Sequence, residues 1–500
     1  MAAPEVREPA AAGRPPALHR GLRTIGALLI VLSAVTPASS VFIIAPGVIS
    51  QAGTGAFLSF AAAGVVGVFM AFVYAELASA YPLTGGEYAI VGRTLGRLPG
   101  FVVLGLILIT QLLILAVIAL GVGTYLGVVV DGLNGPVIAA VTVAVATVIA
   151  ILDIKVNAVV TGIFLAIEMI ALVVLSALGF LHVERPITDL IADPVVGMDG
   201  GGVTAASAGL IAAATAVAIF AYNGYGSAVY FGEETHDAHK AIARTVLWAL
   251  GITVAAELIP VTAVLLGAPD LDKLFHAENM LEYFVTARGS DTLNTVLSLA
   301  IALAILNAVI AIMLLTARLI FSSGRDGTWL PKVDRALTAI HPRFGTPWIA
   351  TLLTGALSAA ACFLDEKFLL VVTGTSLVVV YGALCVAVIA GRRNGTTAHA
   401  GYRMPWFPLA PVAALLALVY VIYQNAKDPE IGRPSLYVTV SVVVVAAAYF
   451  MLVLRRRGGW RLTGDPGDPA TEPADSGAEP DAEPGGADPD GEEPRSSAIT

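Results

Sequence analysis

The sequence predicts an all-α membrane protein of twelve transmembrane helices, arranged as two five-helix units and a terminal pair. Three observations predict it. The chain of 500 residues is 57% hydrophobic and 13% charged, too apolar for a soluble surface of that size. Apolar runs of roughly 20 residues, each long enough to cross a bilayer, recur from one end to the other. The basic residues alternate by loop. With the N-terminus inside, 22 of the 28 Lys and Arg fall in segments on that side and 6 on the other. That asymmetry sets orientation and places both termini in the cytoplasm.

The runs lie at about 24–50, 55–80, 98–130, 135–152, 157–181, 204–232, 241–267, 291–322, 347–364, 366–390, 405–425 and 434–455. Span one follows an Ala/Pro-rich tail, 1–23, and is too long for a cleavable signal, so it stays as the first helix. Spans one to five (24–181) and six to ten (204–390) each begin with a helix interrupted by Gly, Ser or Pro. An odd number of spans per copy puts the two copies in opposite membrane orientations. Spans eleven and twelve (405–455) are left over. Segments 76–96 and 324–347 are too polar to span and are expected at the cytoplasmic surface. The longest outer loops are 182–203 and 268–290.

Residues 456–500 form a predicted disordered cytoplasmic tail. From 464 onward it holds 11 acidic residues, one Arg and almost no large apolar side chain, a composition that cannot build a core. The net charge of −9 therefore belongs to the tail. Cys362 and Cys385 are expected near opposite membrane ends, with no disulfide and no metal spacing. No phosphate-binding Gly-rich loop with Lys is present, so ATP drive is not supported. No Ser/His/Asp or His/Cys constellation is present either, and no enzyme activity, metal or nucleic-acid partner is expected.

Two interruptions sit where helices should run straight: 35–42, VTPASSVF, in span one, and 220–234, FAYNGYGSAVYFGEE, in span six. A broken helix frees backbone groups at membrane depth, which is tolerated where they line a cavity. Paired breaks at matching positions in two halves mark the substrate site of secondary transporters. Pro37 lacks an N–H and disfavours helix at Thr36. The N–H groups of Ser39, Ser40 and Val41 are expected to be free for a carboxylate. The carbonyls of Ala34, Val35 and Thr36, with those of Phe220, Ala221 and Tyr222, suit an ammonium. The alternative is a proline kink patched by Ser39 and Ser40.

The stretches PASSVFIIAPG, AELASAYPLTGGEYAIVGRTLG, FAYNGYGSAVYFGEE, ARLIFSSGRDGTWLP and HPRFGTP together resemble the amino acid–polyamine–organocation superfamily, in its bacterial amino acid permease branch. The resemblance spans about 24–455. It implies a leucine-transporter-like 5+5 inverted repeat plus two helices, and a substrate site at Thr36, Ser39, Ser40, Val41, Phe220, Ala221, Tyr222, Asn223, Gly224 and Tyr225. Phe220 falls where related permeases place an aromatic over the substrate. Some relatives carry a Glu two residues after the position of Gly224; here Gly226 stands there.

The missing charge points to two carboxylates near span centres, Glu168 in span five and Glu257 in span seven. An ionisable group at that depth is functional by default. Apolar surroundings favour a neutral carboxyl, so either can take and release protons. Glu168 aligns where some proton-coupled relatives carry a Lys, near a sodium-site-like position between helices one, five and eight. Hydroxyls on helix eight complete a sodium site in some relatives; Thr316, Ser322 and Ser323 are the candidates, but no residue settles sodium. Glu76, Glu87, Glu233 and Glu234 are expected at cytoplasmic span ends as gate or loop ion pairs, with Arg93, Arg244 or Arg325. Gln111, Thr373, Thr375 and Ser376 are pathway candidates.

The reading is a secondary transporter in the cytoplasmic membrane that imports an amino acid or related amine, driven by the proton gradient and without a cofactor. Two alternatives stay open. Two intramembrane acids without a base also fit a polyamine or other cationic amine, and an acidic tail also fits a transport-inactive nutrient sensor. The oligomeric state is not legible.

Overall fold

The computed structural model describes Leu18 and residues 21–127, 132–198, 200–457 and 460–462. Most of the acidic tail and of the N-terminal tail lies outside these. The described chain is mostly helical. In order, the helices are α1 Thr24–Val35, α2 Pro37–Ser39, α3 Ala45–Ala52, α4 Ala56–Ala80, α5 Gly86–Thr94, α6 Arg97–Gly127, α7 Gly135–Ala150, α8 Ile154–Leu181 and α9 Ile187–Ile191. After a short hairpin come α10 Ala208–Ala221, α11 Ala238–Gly267, α12 Leu271–His276, α13 Met280–Arg288 and α14 Asp291–Arg325. The last six are α15 Pro331–Leu337, α16 Trp348–Ala361, α17 Glu366–Thr373, α18 Ser376–Asn394, α19 Leu409–Lys427 and α20 Gly432–Tyr449.

Among the described residues, nine helical stretches are long and apolar enough to cross a membrane, the first being 24–80 as one run through α1 to α4. α7 and α16 are shorter apolar helices. Val145, Val148, Ile163, Ile170, Val173, Val440 and Val444 are exposed on α7, α8 and α20. Apolar faces left bare in this way are what a lipid-facing helix presents. The protein is a multi-pass membrane protein.

The helices that carry the breaks lie at the centre. α1 packs against α8, α11 and α14, and α10 packs against α3 and α4. α11 also lies along α4 and α8. α6, α16, α19 and α20 lie further out; α6 contacts α7, α14 and α20, and α19 contacts α4 and α18.

Several local features were not expected from the apolar pattern. Span ten is itself interrupted, at Gly374 and Thr375 between α17 and α18, and the freed Thr375 N–H donates to the Ser435 hydroxyl at 2.8 Å. The loop 182–203 carries α9 and one strand of a two-stranded antiparallel sheet, β1 Val195–Gly197 with β2 Val203–Ala205, in which Val195 faces Ala205. Thr54, between α3 and α4, receives the Val195 N–H at 2.9 Å and anchors this hairpin.

The ordered body also runs past 456. Trp460 is fully buried. Its indole N–H donates to Thr328 at 3.1 Å, and its ring meets Tyr88 of α5 and Phe101 of α6. Tryptophan has enough apolar area to hold a short polar segment to the helix ends. Trp460 thus falls within the packed body, and the acidic run from 464 onward lies outside the described residues. Replacing Trp460 by Ala should destabilise the protein by about 3–5 kcal/mol, read as a lower unfolding temperature in detergent; an unchanged temperature would show that this segment adds no packing.

Candidate functional site

The chain leaves helical geometry at Thr36, whose φ of 50° and ψ of 70° are left-handed. For a β-branched residue this is a strained backbone that its surroundings must enforce. Pro37 starts the next helical turn. The Ala38 N–H, which the sequence did not single out, is set free by this turn. Ala38 N–H donates to Glu168 Oε1 of α8 at 2.8 Å, and the Thr36 hydroxyl lies 3.4 Å from the same oxygen. The Ser40 N–H is taken by the Thr36 carbonyl at 3.1 Å. Ser40 to Ile44 then form a π-helical turn before α3 resumes.

The second break follows α10. Asn223 and Gly224 turn the chain, and Tyr225–Glu234 continues as a tight 3₁₀ helix. Gly224 has φ +118°, and a Cβ there would stand 2.9 Å from the Val35 Cα. Only glycine allows the two broken backbones to touch. Ser40 joins them directly, its hydroxyl donating to the Ala221 carbonyl at 2.8 Å.

Beside this junction lies a cavity of about 1750 Å³. Thr36, Ser39, Ser40, Phe220, Ala221, Asn223 and Gly224 line it. Val41, Tyr222 and Tyr225 do not. Val41 is buried on the far side of its turn. Tyr222 points into α4, where its hydroxyl donates to the Phe60 carbonyl at 3.1 Å. Tyr225 packs its ring edge against Tyr74. Gln111 and Thr373 line the cavity, whereas Thr375 and Ser376 bond to Ser435 and Thr439.

Neither intramembrane carboxylate reaches the cavity wall. Glu168 and Glu257 stand behind the break of α1, both fully buried. Glu168 Oε2 and both Glu257 oxygens have no protein hydrogen-bond partner. Glu257 lies beside Ser40. Around Glu168 is a polar set that the apolar pattern hid. The Asn307 amide of α14 donates to Ser33 at 2.9 Å, and Ser33 donates to the Thr161 carbonyl at 3.2 Å. Asn307 stands alone in LAILNAVIAI, and that isolated polar residue was the available signal. Thr316, Ser322 and Ser323 serve elsewhere: Thr316 caps its own helix turn, Ser322 accepts from Tyr88, and Ser323 accepts from Trp329.

The cavity runs from Tyr74, Glu87 and Tyr230 out to a mouth at α13 and the α19–α20 connection. Three ion pairs outside the cavity lining tie helices together. Arg325 grips Glu233 through two 2.7 Å bonds, and Arg392 holds Glu76 through bonds of 2.5 and 2.6 Å. Arg318 pairs with Glu234, both only 1% exposed, and lies 5.1 Å from the Phe231 ring centroid. Of the expected partners, Arg325 is met at Glu233; Arg318 and Arg392 were not singled out because sequence distance hides them.

Glu87 departs from the expected ion pair altogether. It accepts from the Tyr74 hydroxyl at 3.0 Å, and its Oε2 has no protein partner. Burial pushes its carboxyl above the usual carboxylate range.

Residues 22–448 match the amino acid permease family. Among similar proteins, the branched-chain amino acid permease BcaP of Bacillus subtilis is 23% identical over 394 residues, covering 74% of this chain and 81% of that one. An uncharacterized transporter of Mycobacterium tuberculosis is 30% identical over 349 residues, 69% of this chain and 74% of its own length. The methylthioribose transporter of Bacillus subtilis is 24% identical over 393 residues, 74% and 81% respectively.

Removing one member of the buried Arg318–Glu234 pair strands the other charge. Arg318→Met should cost about 3–5 kcal/mol, and adding Glu234→Leu should recover most of the lost thermal stability. A single variant as stable as the parent would contradict the buried pairing.

Proposed function

The chain belongs to the amino acid permease family, and we propose that it is a secondary transporter importing an amino acid or related amine across the cytoplasmic membrane, coupled to protons. The observation that carries this reading is the junction of the two breaks. Ser40 on one bonds Ala221 on the other, and both open onto a single cavity. Backbone amides and carbonyls without side-chain bulk are what the amino and carboxyl groups of an amino acid need. Phe220 supplies an apolar cover at the same place.

The names of similar proteins differ in substrate, from branched-chain amino acids to methylthioribose. They support the transporter class and leave the substrate to the site. Counting 24–80 as two crossings and adding the two shorter apolar helices brings the spans to twelve. This supports the inverted 5+5 arrangement with two further helices. Charge asymmetry supports cytoplasmic termini, so the cavity mouth faces outward and the ion-paired end faces the cytoplasm.

Glu168 and Glu257 support proton coupling. Both are fully buried, and three of their four oxygens have no protein partner, and an ionisable group at that depth is functional by default. Glu168 is bonded to the break itself through Ala38, so its protonation bears on the geometry of the substrate junction. Loading and losing that proton is the coupling step of the proposed cycle. Rocking of the broken helices against the surrounding ones then alternates access.

Glu168→Gln in proteoliposomes should lose accumulation driven by an inward proton gradient while retaining substrate counterflow. Accumulation with the parental pH dependence would reject Glu168 as the proton carrier. Phe220→Ala should weaken binding by roughly ten-fold or more, the scale of one lost aromatic contact. Unchanged affinity would move the substrate away from the junction. Absence of flux for every amino acid and amine in a broad panel would reject transport and favour a sensor.

A further inference from the structure

Five carboxylates line the cavity, and no Lys, Arg or His does among the described residues. Glu278, Glu282, Glu366 and Asp428 are exposed around the mouth, and Glu87 is buried at the floor. A cleft lined by one sign of charge attracts the opposite sign and raises its local concentration. The mouth alone is a solvated acidic rim. The floor adds an independent observation.

Glu87 lies in the first turn of α5. Gly86 before it has φ +59°, and a Cβ there would stand 2.7 Å from the Tyr230 ring. The glycine lets α5 come up against the aromatic wall and places the carboxylate there. Glu87 is 6% exposed, and its Oε2 has no protein partner. The same holds for the Tyr230 hydroxyl, the Ser227 hydroxyl and the Thr110 hydroxyl, all buried and all lining this cavity. Four buried polar atoms without a protein partner along one cavity are costly unless a polar guest meets them. A carboxylate among them selects a cation.

The route from the breaks to this floor is also built. Asn223, at the second break, accepts from the Tyr381 hydroxyl. The Tyr381 ring lies 5.7 Å from the Tyr74 ring, and Tyr74 bonds Glu87. Gly226 makes room for that ring, since a Cβ there would lie 2.6 Å from it. Ile107, Ile312, Leu315 and Val380 supply apolar wall. The result is a polar anchor at the breaks, an apolar and aromatic passage, and a carboxylate at the end.

We propose that Glu87, with Tyr230, Ser227 and Thr110, forms a cation subsite that receives the terminal alkylammonium of a chain-like substrate whose other end is held at the two breaks. The substrate class is a basic amino acid or an alkyl diamine. This rests on the transporter reading above and deepens it. It also moves the substrate charge away from Glu168 and Glu257, which stay behind the wall as proton groups. The tyrosine faces add cation–π attraction for the same ammonium.

The test measures binding to the full-length protein in detergent with three probes. L-Lysine carries the terminal ammonium, L-norleucine is the same chain without it, and cadaverine is lysine without the carboxylate. The parent should bind lysine or cadaverine at least ten-fold more tightly than norleucine, the scale of a charge-assisted hydrogen bond. Glu87→Gln should bring that ratio near one while norleucine affinity is retained. Which cation binds identifies an amino acid or a diamine as the occupant, and either supports the subsite. A parent that prefers norleucine, or a Glu87→Gln variant that keeps the cation preference, overturns it. Should Glu87→Gln not fold, Tyr230→Phe, which alters the same subsite, should reduce the cation-to-norleucine ratio; an unchanged ratio overturns the proposal. Binding of none of the three by the parent rejects this subsite, and the transporter reading falls separately if the broad flux panel is also silent.

Discussion

The bond from the Ala38 N–H to the Glu168 carboxylate is the constraint on which the centre of the molecule depends. Pro37 cannot donate, and Thr36 is held left-handed, so the turn exposes a donor at membrane depth. Left unpaired it would cost several kcal/mol. Glu168 satisfies it from another helix, and the break stays open without collapsing into a kink. With that turn fixed, Ser40 reaches Ala221 and Val35 presents its backbone to Gly224. The junction, and the cavity beside it, follow from one hydrogen bond and one glycine.

The two ends of the cavity are built from different physics. In the proposed cycle one end is held by ion pairs in partly or fully buried surroundings, where separating the charges is expensive. The other end is an acidic rim open to solvent. In that proposed cycle the structure is one state of a two-ended device. To open the ion-paired end, the Glu233–Arg325 and Glu234–Arg318 pairs must part or move with their helices. In the proposed cycle the proton on Glu168 and the substrate at the junction supply the bias for this change.

How much of this was legible in the sequence depends on the range of the interaction. Apolar length pointed to a multi-pass membrane protein, because a bilayer needs little more than length and hydropathy. The breaks were visible as Pro37, Asn223 and Gly224, since local backbone chemistry announces itself locally. The partners of the freed groups were not. Ala38 carries the amide bonded to Glu168, and that depends on how Thr36 turns. Tyr222 and Tyr225 sit in the right stretch, but Tyr222 bonds the Phe60 carbonyl and Tyr225 packs on Tyr74. Glu87 looked like a surface carboxylate in a polar loop; only the fold shows that α5 tucks it under Tyr74. Trp460 looked like the start of a tail, because a single anchoring side chain hardly changes composition.

The account's central claim is that the two breaks form one substrate cage. Amide hydrogen–deuterium exchange of the purified protein tests it most directly, with and without whichever amino acid or amine raises its thermal stability. The account predicts that ligand slows exchange in peptides covering 36–41 and 220–226 together. Protection of only one of these segments, or of neither while other regions respond, would contradict it.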